Sequence, residues 1–90
     1  MVILNLVEMA KSIRQSGRAT GEKTPTRLID RDIANDFNKL LDKSKKKYPE
    51  NLFIRKMQPV NPTRTQFAGL LAKVDFLENC LRTEKSVHLG

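Results

Sequence analysis

The chain has 90 residues, 39% hydrophobic and 30% charged, which suits one globular domain and is too short for two. One cysteine excludes an internal disulfide, and one histidine cannot build a zinc site alone. Seventeen Lys and Arg against ten Asp and Glu leave a formal charge of +7, a balance that favours nucleic acid, an acidic protein or an anionic surface as partner.

Residues 2–16 predict the first amphipathic helix. Val2, Ile3, Leu6, Val7, Met9, Ala10 and Ile13 gather on one side of a 3.6-residue wheel, with Asn5, Glu8, Lys11 and Gln15 elsewhere. A strand over VILNLV is the alternative, but it has no evident partner. Ser16-Gly17 reads as the stop, since glycine closes helices in the left-handed conformation. The same N-terminus lacks the positive region and cleavage site of a signal peptide, and no apolar run approaches the ~20 residues of a membrane span. A cytoplasmic location is therefore expected.

The stretch GRATGEKTPTR, residues 17–27, has three readings. A phosphate loop fails on spacing, because only three residues separate Gly17 from Gly21, and on charge, because Glu22 stands beside Lys23. TGEKTP resembles the linker between C2H2 zinc fingers, which has no meaning without paired Cys and His ligands. A connection between two helices needs nothing further.

Thr24-Pro25 predicts the second helix, over 25–46, with threonine as cap and proline in the first turn. Ile29, Ile33, Phe37, Leu40 and Leu41 form its stripe. Asp30, Asp32 and Asp36 fall in its first half and lysines in its second, which complements the helix dipole. A metal site is not expected, because Asp30 and Asp32 lie apart on the wheel and no histidine completes a ligand set. Lys39, Lys43 and Lys46 share one face, and Lys45, Lys47, Arg55 and Lys56 are near in sequence, opposed by Asp42 and Glu50. These seven form a candidate basic patch able to follow a phosphate backbone, although no aromatic platform or recognition helix for reading bases is present.

Tyr48-Pro49 breaks the run, and a short helix over about 49–57 carries Leu52, Phe53 and Met57; a strand over 52–56 is the alternative. Asn61-Pro62 repeats the cap-then-proline signal and predicts the longest helix, 62–82, with Phe67, Leu70, Leu71, Val74, Leu77 and Leu81 in line. PTR occurs at both 25–27 and 62–64, an echo attributed to shared capping chemistry. Arg27 and Arg64, just inside these starts, read as exposed arginines, Arg27 paired with Asp30, rather than as anion sites.

Outside the last stripe, Gly69, Lys73, Phe76 and Cys80 make a second arc, a candidate partner interface if Phe76 is exposed. Cys80 is otherwise a small buried hydrophobe. With no tryptophan, the core is expected to draw on Leu, Ile, Val and all four phenylalanines. Residues 1–83 are expected to form one all-α four-helix bundle, with 84–90, including His88, as a flexible tail. No Ser, Cys or Asp arrangement includes the histidine, so neither a catalytic site nor a cofactor is expected. The reading that follows is a non-catalytic protein-interaction or assembly module, self-associating or docking through the last helix. The alternative is a basic nucleic-acid-binding module with little sequence specificity.

Overall fold

A computed structural model describes the backbone of residues 5–89 and side chains through Glu84. Four helices follow in order: α1 (Leu6–Gly21), α2 (Arg31–Lys47), α3 (Leu52–Lys56) and α4 (Phe67–Leu89). Among the described residues no strand forms, and the fold is a small all-α bundle. Val2 and Ile3 lie outside the described residues. So do the side chains of most of the expected tail; its backbone through Leu89 belongs to α4.

Asn5 starts α1, its Oδ1 accepting from the Glu8 N–H at 2.8 Å. The expected stop at Gly17 is corrected: the helix continues to Gly21, and both glycines are buried inside it. Neither has a positive φ, so conformational freedom is not their use. Their use is close approach. A Cβ at Gly17 would stand 3.0 Å from Leu71 Cδ2, and one at Gly21 would stand 3.1 Å from Leu71 Cδ1 and 3.2 Å from Phe67 Cβ. Leu71 fits between two glycines one helical turn apart, which brings α1 against α4.

The expected helix starts at Thr24-Pro25 and Asn61-Pro62 are also corrected. Arg27 N–H donates to Thr24 C=O, and Arg64 N–H donates to Asn61 C=O, so each signal opens a turn instead. The side chain of Asn61 further accepts from Thr63 N–H and Oγ1. α2 then begins at Arg31 and α4 at Phe67. The two PTR segments lead into neighbouring stretches of chain that meet. Ile29 N–H donates to Thr65 C=O, Phe67 N–H to Arg27 C=O, and Leu28 and Gln66 form an isolated antiparallel bridge. Ala68 N–H reaches Pro25 C=O, so the first connector satisfies two free N–H groups at the start of α4.

Ala10, Ile13, Ile33, Phe37, Leu40, Leu41, Ile54, Val60, Phe67, Leu70, Val74, Leu77 and Leu81 are in the core. The α4 stripe is buried as expected, except Leu71, which is half-buried against the glycines. The core uses two phenylalanines, Phe37 and Phe67, and leaves Phe53 and Phe76 exposed, which corrects the expectation that all four are inside. Fully burying side chains of this size stabilises by about 1.5–3 kcal/mol each, a gain that the two exposed phenylalanines do not make in full.

Candidate interaction face

The short helix α3 exists because Asn51 performs two tasks with one amide. Its Oδ1 accepts from Ile54 N–H at 3.0 Å, capping the helix, and its Nδ2 donates to Glu84 Oε1 at 2.9 Å, tying the cap to α4. Ile54, fully buried, is the anchor. Five residues cannot bury two faces, so with Ile54 inward, Leu52 and Phe53 turn outward, 60% and 67% exposed. Beyond α3 the chain runs extended from Met57. Asn38 of α2 holds it there, accepting from Val60 N–H at 2.8 Å and donating to Val60 C=O at 3.0 Å.

On α4 the turn of 100° per residue that points Val74 and Leu77 inward points Phe76 outward, where it is 46% exposed. Phe53 meets Phe76 edge to face, ring centroids 6.2 Å apart and planes at 72°. Beside them an open depression of about 270 Å³ is lined by Met57, Gln58, Ala72, Lys73 and Phe76. Of the four residues singled out on α4, Phe76 and Lys73 border this face. Gly69 is exposed, with open space where a Cβ would point, and Cys80 is half-buried against the core. Burial and the neighbouring Glu84 carboxylate raise the Cys80 thiol pKa above its ordinary value. Phe53 and Met57 were not visible in the α4 pattern, because they lie outside that helix.

The basic residues are on the surface as well. Lys39, Lys43, Lys46, Lys47, Arg55 and Lys56 are exposed, and Lys45 is half-buried. Lys46 pairs with Asp42 at 3.1 Å, and the Lys47 ammonium stands 5.7 Å from the centre of the Tyr48 ring. Lys39 and Lys43 border a shallow depression over Met9, Ser12 and Ile13. Arg27 pairs with Asp30 at 3.9 Å. Asp30, Asp32 and Asp36 line one cleft of about 290 Å³ with Ser12, Ser16 and Thr20 of α1, a juxtaposition the helical wheel did not indicate. Among the described residues no acidic, cysteine and histidine side chains cluster in a way that holds a metal, and no helix is long and apolar enough to cross a membrane.

Compared with known proteins, the chain matches no family model, no curated protein and no solved structure.

Proposed function

We propose that this chain is a non-catalytic interaction or assembly module whose docking face is the apolar surface shared by α3 and α4. One observation carries the reading: Phe53 and Phe76 sit ring to ring outside a core that holds the other two phenylalanines. Exposed apolar residues scattered singly are ordinary, but aromatic residues clustered beside a depression are characteristic of binding surfaces. Met57 and Ala72 extend the apolar area, and Lys73 supplies a polar edge.

The test is a pair of charge insertions. Phe76→Glu and Phe53→Glu keep the wild-type helical circular dichroism and melt within a few degrees of it, since surface changes usually move stability by about 0.5 kcal/mol. Both abolish self-association, or binding of a partner, measured by sedimentation. A Phe76→Glu variant that unfolds as a monomer assigns Phe76 to the core and ends the reading.

The exposed cations support a second reading, a nucleic-acid-binding module with little sequence preference. Lys39, Lys43, Arg55 and Lys56 form no ion pair among the described residues. Retention on a single-stranded oligonucleotide at ~50 mM salt, lost at ~200 mM and in a Lys43→Glu/Lys46→Glu/Lys47→Glu variant, supports it. No retention at the lower salt ends it.

A further inference from the structure

We infer that the α3–α4 face takes an acidic amphipathic helix of a different protein, not a second copy of this chain; the inference rests on the interaction reading above. Lys73 is the one charged residue lining the depression, and neither it nor Lys56, one turn beyond Phe53 on α3, forms an ion pair among the described residues.

The carboxylates of α4 are committed elsewhere. Asp75 and Glu78 pair with Arg14 of α1, Glu78 also holds Arg82, and Glu84 accepts from Asn51. What the depression offers a partner is an apolar floor with one cation, Lys73, at its edge.

A helix docks on such a surface by placing apolar residues from one side, at i, i+3 or i+4, and i+7, into the groove. One leucine or phenylalanine would enter the depression between Met57 and Phe76. Glutamates flanking it would meet Lys73 and Lys56. Gly69 and Ala72 leave the α4 backbone bare on this side, so a partner helix can approach closely. A second copy fits worse. A two-fold interface apposes the same patch on both subunits. Two Lys73 ammoniums would then share one interface with no carboxylate among its lining residues, on chains that each carry a formal +7.

The test uses two displayed libraries of helical peptides, identical in their randomised apolar positions, one flanked by glutamate and the other by lysine. Both are selected against the full chain, whose own association is followed by sedimentation equilibrium. The result expected is enrichment from the glutamate-flanked library alone. Binding of the enriched peptides falls at least ~10-fold with Phe76→Glu and with Ala72→Glu, the latter an exposed site whose change leaves the core intact. It falls severalfold with Lys73→Glu and with added salt.

Equal enrichment of both libraries overturns the charge selection while leaving the face an interaction site. A concentration-dependent dimer lost in Ala72→Glu, with no peptide enriched, assigns the face to a second copy and overturns this inference alone. A monomer that enriches nothing overturns both readings.

Discussion

Arg14 reaches from α1 to Glu78 on α4, with its Nη1 2.7 Å from Oε1, and Glu78 is the one charged side chain buried among the described residues. Arg82 holds the other oxygen, Nε donating to Oε2 at 2.9 Å. The Arg14 contact is an ion pair. Asp75, 3.6 Å from the same guanidinium, adds a second carboxylate.

A buried carboxylate persists only while its charge is compensated, and breaking such a pair typically costs 3–5 kcal/mol, roughly, because one ion is stranded. Arg82 remains when Arg14 is removed, so Arg14→Met is expected to cost less, about 2–3 kcal/mol in urea denaturation. Adding Glu78→Leu removes the stranded ion and recovers most of that loss. A double variant no more stable than Arg14→Met shows that the pair contributes nothing beyond packing.

Leu71 between Gly17 and Gly21 predicts different outcomes for two alanine substitutions. Alanine stabilises a helix interior by about 1 kcal/mol over glycine when space allows. At Gly17 the nearest obstacle is Leu71 Cδ2, the end of a half-buried side chain that can rotate aside. Gly17→Ala is therefore expected to melt within ~0.5 kcal/mol of wild type, clash and propensity offsetting. At Gly21 the new methyl also meets Phe67 Cβ at 3.2 Å, fixed to the α4 backbone, and the last residue of a helix gains little from propensity. Gly21→Ala is expected to destabilise by about 1–2 kcal/mol. Equal effects in thermal melts would mean that α1 slides as a unit.

These glycines also show how far the sequence is readable. The position of Gly17 after an amphipathic run matches a helix end, and its contact with Leu71, more than fifty residues away, is what the sequence does not display. Thr24-Pro25 and Asn61-Pro62 are ambiguous for a related reason: a side-chain oxygen followed by proline suits a turn as well as a helix start. The stripes of α2 and α4 were legible because each repeats over several turns, whereas the pattern of α4 left the exposure of Phe76 open. Phe53 was not legible, since five residues complete too little of the wheel to show which side faces in. Its exposure follows from Ile54, Asn51 and Asn38, each fixed by partners distant in sequence.

Asn38 should be irreplaceable by its nearest neighbours in shape. Its amide both donates to and accepts from the backbone of Val60, a residue in the core, and so substitutes for a strand partner. Asn38→Ala leaves a part-buried N–H and C=O without their partner, an expected loss of about 1–3 kcal/mol. Asn38→Asp keeps an acceptor for the Val60 N–H but sets a second oxygen against its C=O, so it should be no better than alanine. Hydrogen exchange at the Val60 amide reports the effect directly, with faster exchange in both variants. Unchanged exchange would show that Val60 is held by burial alone.

Cys80 carries a pH prediction. Burial, and then the negative charge of Glu84 one turn along, hold its thiol pKa above the ordinary value. At neutral pH its thiolate fraction is therefore smaller than that of a free cysteine, and alkylation by iodoacetamide should be slower, with the rate curve displaced to higher pH. Glu84→Gln should move the curve partway back, since burial, the larger cause, remains. The linkage has a definite sign. A raised pKa means that the folded chain keeps its proton where the unfolded chain releases it, so this group's contribution declines as pH rises through the ordinary thiol range. Stability of Cys80→Ser should consequently fall less steeply than wild type over that range. An alkylation profile matching that of a free thiol would place Cys80 in open solvent and remove both expectations.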